Sequence, residues 1–200
     1  MTKNPLIIYD WDDTLFPTTW VTLSRMDVNN LKKSELYKKQ FKPIDNMVFL
    51  LLKSSLRHGK VYIVTNASLF WVNTALKLYP QTNSIISNVE IISCRDLYSK
   101  YYPNMMNLWK VKAFNDILKY NSVHRGKYYQ HIISIGDAMF ERSALVNLKK
   151  NKLCKKAKNI KFLDQPTYKK LLEQIEELYN NFETICQHDK DLDMKMFNKN

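Results

Sequence analysis

Three continuous apolar runs, each ending in polar residues, constrain the fold of this 200-residue chain more than any other feature. The runs are LIIYD at 6–10, VYIVTN at 61–66 and HIISIGD at 131–137, with VEIISC at 89–94 and a weaker NIKFLD at 159–164 as further candidates. Uninterrupted apolar runs of this length are typical of strands buried on both faces of a parallel sheet. The sequence therefore predicts five strands in a mainly parallel sheet.

Helical patterns separate these strands. They cover residues 45–58, 67–79, 109–120, 141–149 and 167–182, the last with Thr167 as its predicted N-cap. Strands that alternate with helices of this length favour βαβ units. We expect an α/β, three-layer Rossmann-like fold in which helices cover both faces of a central parallel sheet.

The domain organisation is predicted to be simple. With 45% hydrophobic residues and no linker rich in Pro, Gly or Ser, residues 1–182 are expected to form a single domain. Residues 17–44 form a small insertion after the first strand and are predicted to be a loop with one short helix. Residues 183–200 are polar and are predicted to form a frayed helix or a disordered tail.

Composition excludes several classes of protein. The longest apolar run, MVFLLL, is too short to span a membrane, and the N-terminus lacks a signal-peptide pattern, so we expect a soluble, intracellular protein without a membrane partner. Cys94, Cys154 and Cys186 form no CxxC pair, which argues against a disulfide framework or a zinc site. The net charge of +12 attracts anions, although a compositional bias towards lysine explains it equally well.

Polar residues at the strand ends form the candidate site. Carboxyl ends of parallel strands meet at one edge of the sheet, where such sheets bind ligands. This edge is expected to carry Asp10 with Asp12, Thr65 with Asn66, and Gly136 with Asp137. Carboxylates crowded at the end of a buried strand repel one another and lose hydration, so they require a cation or a shared proton.

Four motifs in this order resemble those of the haloacid dehalogenase-like (HAD) superfamily of phosphotransferases. IIYDWDDTL is similar to the strand followed by DxDxT, and VYIVTN to the strand that ends in Ser or Thr. Lys110 in NLWKVKAF is similar to the lysine of the third motif, and IISIGDAMFE to the fourth, a strand followed by GD and another acid. The resemblance spans Leu6 to Ala144 and implies a HAD-like fold.

The resemblance implies hydrolysis of a phosphomonoester through an aspartyl phosphate. Asp10 would be the nucleophile that attacks phosphorus. Asp12 would protonate the leaving oxygen and later accept a proton from the attacking water. In an extended strand, residues i and i+2 point the same way, so both carboxylates can reach one phosphate while Trp11 points into packing.

The resemblance also implies Mg²⁺ as the cofactor. The carboxylates of Asp10 and Asp137 and the main-chain carbonyl of Asp12 would hold it, together with waters and phosphate oxygens. Glu141 lies four residues after Asp137, and it would hold the metal or its waters from the start of a helix. Many members have Asp where this chain has Glu141, so direct coordination by Glu141 stays open.

The remaining site residues are predicted to bind phosphate. Thr65 and Asn66 would donate hydrogen bonds, and Lys110 would provide a fixed positive charge, with Lys112 as the alternative lysine. Asp13 stands where many members have glycine, and we expect its side chain to cap the local turn rather than take part in chemistry.

The predicted function is that of a Mg²⁺-dependent phosphatase with a macromolecular substrate such as a phosphoprotein. A small insertion at 17–44 and a short segment between VEIISC and Lys110 leave the site lightly covered. The alternatives are a phosphatase acting on polynucleotide ends or nucleotides and a non-catalytic binding protein. The seven lysines of Lys149–Lys161 are either a solvated face or a nucleic-acid patch.

Overall fold

A computed structural model describes residues 4–197, which form six strands and eight α-helices. The strands are β1 (Leu6–Tyr9), β2 (Lys60–Thr65), β3 (Glu90–Ser93), β4 (His131–Gly136), β5 (Lys156–Lys161) and β6 (Leu192–Lys195). The helices are α1 (Thr18–Leu23), α2 (Ser34–His58), α3 (Leu69–Leu76), α4 (Pro80–Ile85), α5 (Cys94–Tyr98), α6 (Met106–Arg125), α7 (Met139–Lys150) and α8 (Tyr168–Gln187). Two 3₁₀ turns lie at Leu31–Lys33 and Ile86–Asn88.

All six strands are parallel and form one sheet in the order β3-β2-β1-β4-β5-β6. The predicted three-layer α/β fold is therefore confirmed. The chain builds the sheet outward from β1 on one side, then returns and builds it outward on the other side from β4. This reversal puts a topological switch point between β1 and β4, where sheets of this kind bind ligands.

Alternate side chains of β1 reach two separate cores. Ile7 and Tyr9 pack into the core that contains α2 and α8, whereas Leu6 and Ile8 pack into the core of α6 and α7. All four are buried, and the Tyr9 hydroxyl is 2.8 Å from Ser55 Oγ. Each fully buried aliphatic side chain contributes about 1.5–3 kcal/mol, so β1 is held firmly at the centre of the sheet.

The insertion after β1 contains more helix than predicted. Helix α2 begins at Ser34 rather than near residue 45 because Tyr37, Phe41 and Ile44 are buried and extend its apolar face. Pro43 lies inside this helix, but it is exposed and interrupts only the solvent side. The segment free to cover the sheet edge is thus reduced to α1 and the loop that follows it.

Residues 183–197 were predicted to form a frayed helix or a disordered tail, but the structure orders them as the end of α8 and a sixth strand. Helix α8 continues to Gln187, with Ile185 and Cys186 buried, and β6 then adds a strand to the edge of the sheet beside β5. Residues 198–200 lie outside the described part of the chain.

Three ion pairs hold this C-terminal segment against the sheet. They join Asp189 to Lys156, Asp191 to Lys149 at 2.9 Å, and Asp193 to Arg142 at 2.6 Å. These three acids therefore have positively charged partners elsewhere in the chain, which the sequence of the tail alone does not indicate.

The lysine-rich segment 149–161 is not a uniform basic face. Lys158 is buried and donates to the carbonyls of Ile185 (2.6 Å) and Cys186 (3.1 Å) at the end of α8. Lys161 is also buried, at the carboxyl end of β5. The rest of the segment runs from the end of α7 to the start of β5, which is the amino-terminal edge of the sheet.

Two findings concern the expectations from composition. Cys94, Cys154 and Cys186 are free and buried, in keeping with a packing role. Within residues 4–197, no helix combines the length and the apolar character needed to cross a membrane.

Candidate active site

Asp10 lies directly after β1, at the switch point. Its backbone N–H donates to the carbonyl of Ile135 in β4 at 2.9 Å, which continues the pairing of the two strands beyond Tyr9. Its Oδ1 accepts a hydrogen bond from the N–H of Trp11 at 2.8 Å, and the residue is only 7% exposed. The backbone thus fixes Asp10 at the sheet edge with its carboxylate almost removed from water.

Lys110 provides the counter-charge for Asp10. Its Nζ lies 2.8 Å from Asp10 Oδ1 and 2.7 Å from Glu141 Oε1, and it donates to the carbonyl of Val64 at 2.5 Å. Complete burial alone would lower the pKa of Lys110, but the negative charges of Asp10 and Glu141 outweigh it and raise the pKa above its ordinary value. Lys110 is therefore charged, and its charge is directed at Asp10.

Helix α6 determines which lysine reaches the site. Lys110 belongs to the buried face of the helix, with Trp109, Ala113 and Phe114. Lys112 is turned away and lies over the ring of Tyr102, with Nζ 4.5 Å from its centroid. Of the two candidate lysines, Lys110 is the one that the fold brings to the strand ends.

Glu141, in the first turn of α7, is the second partner of Lys110. It lies directly against Gly136: a Cβ at that position would be 2.5 Å from Glu141 Cγ, so the close approach requires glycine. Burial raises the pKa of Glu141, although Lys110 acts in the opposite direction. Its Oε2 has no hydrogen-bond partner among residues 4–197. The structure places Glu141 as a counter-ion, and its predicted role at the metal stays a prediction.

Asp12 is oriented by two side chains that sequence reasoning missed. Its Oδ1 accepts hydrogen bonds from Trp71 Nε1, at 2.9 Å, and from Thr18 Oγ1. Burial raises the pKa of Asp12, the charge of Asp10 adds to this, and the two hydrogen bonds act against it. Trp11 is fully buried and stacks on Phe16, as its predicted packing role requires.

Asp13 joins the loop after β1 to the start of α1. Its φ of 52° lies in the left-handed region, which explains why glycine suits this position in the motif. Its carboxylate accepts from the N–H (2.9 Å) and the hydroxyl (2.5 Å) of Thr19, in the first turn of α1. This matches the expected capping role.

Asp137 follows β4 and faces the other acids. Burial, followed by the charges of Asp10 and Glu141, raises the pKa of Asp137 to about 8. Its carbonyl accepts a hydrogen bond from Lys161, which also forms an ion pair with Asp164 at 2.5 Å.

Lys161 and Trp71 differ in how far the sequence could have revealed them. Lys161 ends β5 opposite Gly136, three residues before the predicted strand end, so the strand-end argument would have pointed to its ion-pair partner Asp164 instead. Trp71 comes from a helix, and no pattern in the sequence links it to Asp12.

The predicted phosphate-binding residues end β2 at the same edge. Thr65 is fully buried, and its Oγ1 accepts from the N–H of Ala67 at 3.0 Å, which leaves the hydroxyl hydrogen for a ligand. Asn66 is half-buried, and its Oδ1 lacks a hydrogen-bond partner within the described chain. Its carbonyl accepts from Arg95 Nε at 3.2 Å, so Arg95 borders the site.

The donor set at this edge fits Mg²⁺. At this edge Lys110 contacts Asp10 and Glu141, and burial, followed by the charges of these two acids, raises the pKa of Asp137. In residues 4–197 no three His, Cys, Asp or Glu side chains converge as a metal group. Mg²⁺ needs only one or two carboxylates, because waters and phosphate oxygens complete its shell. Asp10 and Asp137, with the carbonyl of Asp12, meet that requirement.

Comparison with known proteins supports the fold. The chain has an α/β fold with acids at the switch point of its parallel sheet. No family model and no curated protein matches the sequence. Two crystal structures of the Legionella pneumophila effector Ceg4 are similar. One, with an N-terminal TEV protease cleavage sequence, has 12% identity and a TM-score of 0.52, covering 91% of this chain and 96% of that one. The other, with an N-terminal yeast Hog1p sequence, has 14% identity and a TM-score of 0.50, covering 90% and 96%.

A third solved structure is the HAD domain of the effector protein Lem4, also from Legionella pneumophila. It has 15% identity and a TM-score of 0.48, and the alignment covers 92% of this chain and 98% of that domain. With 12% and 14% sequence identity, the structural similarity to Ceg4 establishes a shared fold.

Proposed function

We propose that the protein is a Mg²⁺-dependent phosphatase that hydrolyses a phosphomonoester through a covalent intermediate on Asp10. The buried ion pair between Lys110 and Asp10, at 2.8 Å, carries this proposal. It places a fixed positive charge directly against the Asp10 carboxylate, at the edge where such sheets bind ligands and beside the incoming phosphate. A core lysine placed in this way is costly for a protein that does not use it.

In the proposed reaction, Asp10 and Asp12 act in two steps. A carboxylate oxygen of Asp10 forms a bond to phosphorus as the bond from phosphorus to the leaving oxygen breaks, and Asp12 gives its proton to that oxygen. Asp12 then takes a proton from a water, whose oxygen attacks phosphorus and releases inorganic phosphate and free Asp10. Lys110, Thr65 and Asn66 hold the phosphoryl oxygens. Bound Mg²⁺ supplies further positive charge to these oxygens.

The favoured substrate is a phosphate carried on a macromolecule, such as a phosphoprotein. The insertion adds only the short helix α1 and a loop near this edge, and the segment between β3 and α6 is also short, which leaves little chain to enclose a small metabolite. The alternative of a polynucleotide is less favoured, because Lys149 and Lys156 lie at the opposite edge and are paired with Asp191 and Asp189.

Hydrolysis of an aryl phosphate by the wild-type protein tests the proposal. Mg²⁺ should support turnover and a chelator should remove it. Asp10→Asn is nearly isosteric, so it should keep the fold and lower kcat to background. Asp27→Asn makes the same change on an exposed acid of the insertion and should retain full activity.

Two outcomes would contradict the proposal. Turnover by folded Asp10→Asn would exclude the covalent mechanism. If the wild-type protein binds Mg²⁺ and phosphate but shows no turnover, the non-catalytic binding protein becomes the correct reading.

A further inference from the structure

The proposed acid, Asp12, is held by two hydrogen bonds that converge on one of its two oxygens. Trp71 Nε1 donates to Oδ1 at 2.9 Å, and Thr18 Oγ1 donates to the same atom. A carboxyl group with two donors on Oδ1 cannot rotate freely. Its other oxygen, Oδ2, therefore has a fixed direction.

The indole of Trp71 is itself fixed in place. Trp71 lies in the first turn of α3, where its backbone N–H donates to the side chain of the N-cap, Ser68, at 3.2 Å. Its ring meets Phe16 edge-on, with the centroids 5.8 Å apart and the planes at 86°. Phe16 is fully buried and belongs to the loop that carries Asp12. The donor and the acceptor are thus anchored to the same core.

The second donor comes from the insertion. Thr18 is the first residue of α1, and the next residue, Thr19, is bound through both its N–H and its hydroxyl to Asp13. These hydrogen bonds hold the loop against the start of α1 beside Asp12. As a result, Asp12 is held between the insertion on one side and α3 of the main fold on the other.

The two donors differ in chemistry. A threonine hydroxyl can donate or accept, but an indole N–H can only donate. The oxygen facing Trp71 must therefore be an acceptor whether Asp12 is protonated or ionised. The carbonyl oxygen of a protonated carboxyl group is the better acceptor, so two donors on Oδ1 favour Oδ2 as the oxygen that carries the proton.

We propose that Trp71, assisted by Thr18, is a positioning residue that directs Oδ2 of Asp12 to the leaving oxygen of the substrate. This inference rests on the proposed phosphatase function. In the first step, the proton leaves Oδ2 for the leaving oxygen as the bond from that oxygen to phosphorus breaks. In the second step, Oδ2 accepts the proton of the attacking water. Trp71 exchanges no proton in either step.

The test compares two leaving groups. Phenyl phosphate needs a proton on its leaving oxygen, whereas 4-nitrophenyl phosphate releases a much weaker base and needs less assistance. For Trp71→Phe, we expect kcat/KM to fall about tenfold or more with phenyl phosphate and less than about threefold with 4-nitrophenyl phosphate. The ratio kcat/KM reports the first chemical step, so slow hydrolysis of the intermediate does not hide the effect.

Trp20→Phe is the matched control. Trp20 is half-buried on α1 and packs against Phe41 and Tyr168, with ring centroids 5.7 and 4.9 Å away. The change removes the same volume, so it should lower thermal stability while shifting both substrates equally.

Thr18 provides an independent second test. Thr18→Val removes its donor and should repeat the preference for the activated substrate. Thr18→Ser restores the hydroxyl and should reverse the loss.

Equal losses with both substrates in Trp71→Phe and in Thr18→Val would show that these residues only pack, which overturns the inference while leaving the phosphatase intact. If the wild-type protein shows no Asp10-dependent hydrolysis, both the proposed function and this assignment are overturned.

Discussion

Complete burial of a lysine is tolerated only when its charge is matched, and Lys110 is matched by Asp10 and Glu141 at 2.8 and 2.7 Å. The three side chains form a charged centre inside an otherwise apolar layer. Glu141 is the second acid that balances the charge of the lysine. Removing the lysine would leave two buried carboxylates without a counter-charge, whereas neutralising one acid leaves the lysine paired with the other.

Lys110→Met should therefore destabilise the protein severely. It leaves Asp10 and Glu141 buried and unpaired, and we expect the free energy of unfolding at neutral pH, measured by urea in the presence of chelator, to fall by about 3–5 kcal/mol. Adding Glu141→Gln to this variant should recover part of the loss. Lys112→Met, on the same helix, should change stability by about 0.5 kcal/mol or less. Equal losses at the two lysines would contradict this view of the site.

Strand ends could be located from the sequence alone, whereas the helix residues Lys110 and Glu141 were predicted mainly from the resemblance of their motifs, and other helix residues were missed. Asp10, Thr65 and Asp137 follow strands, so the parallel sheet alone predicts that they share an edge. Trp71 and Thr18 reach Asp12 through the packing of α3 and α1, which no spacing along the chain encodes. Which residues a helix presents to a site depends on its rotation about its own axis, and that is settled by the core.

Among the elements, β6 and α2 also show that local sequence patterns do not predict every helix and strand in full. The apolar pattern predicted the start and direction of α8, and Thr167 caps it as expected, accepting from the N–H of Lys170. The pattern of β6 is polar, because this strand lies at the edge of the sheet and is held by ion pairs rather than by burial. Complementary charges far apart in sequence are invisible to a local pattern. Helix α2 likewise begins at Ser34 rather than at residue 45, and Pro43 lies on its exposed side.

Deleting residues 189–200 should test the structural role of β6. The loss removes the backbone pairing with β5 and three ion pairs, so we expect a lower Tm and self-association through the newly exposed edge of β5. Thermal unfolding and analytical ultracentrifugation measure the two effects. Replacing Asp189, Asp191 and Asp193 by Asn removes the ion pairs but keeps the strand, and it should lower Tm less, because exposed pairs contribute about 0–1 kcal/mol each. A truncated protein with unchanged Tm would show that β6 adds nothing.

At the scale of the whole molecule, the positive charges that give the net charge of +12 are unevenly distributed around the site. The densest run of lysines lies at the amino-terminal edge of the sheet, about 18 Å from the start of α7 if measured along that 12-residue helix. The hypothesis that this run recruits the substrate to Asp10 is therefore unsupported by its position. Arg95 is different, because it lies at the carboxyl edge and donates to the carbonyl of Asn66.

Two double variants that remove the same amount of charge distinguish the effect of where a charge lies from the effect of the total charge. Arg95→Gln with Lys100→Gln neutralises exposed residues that follow β3, whereas Lys150→Gln with Lys155→Gln neutralises exposed residues at the opposite edge. For an acidic phosphopeptide at low ionic strength, we expect the first pair to lower kcat/KM about threefold or more, because the local field attracts the substrate. The second pair should have little effect, and an aryl phosphate should respond weakly to both. Moderate salt should shrink the difference, since it screens exposed charges beyond about 8–10 Å. Equal losses from both pairs would mean that overall charge, rather than the rim beside Asn66, attracts the substrate.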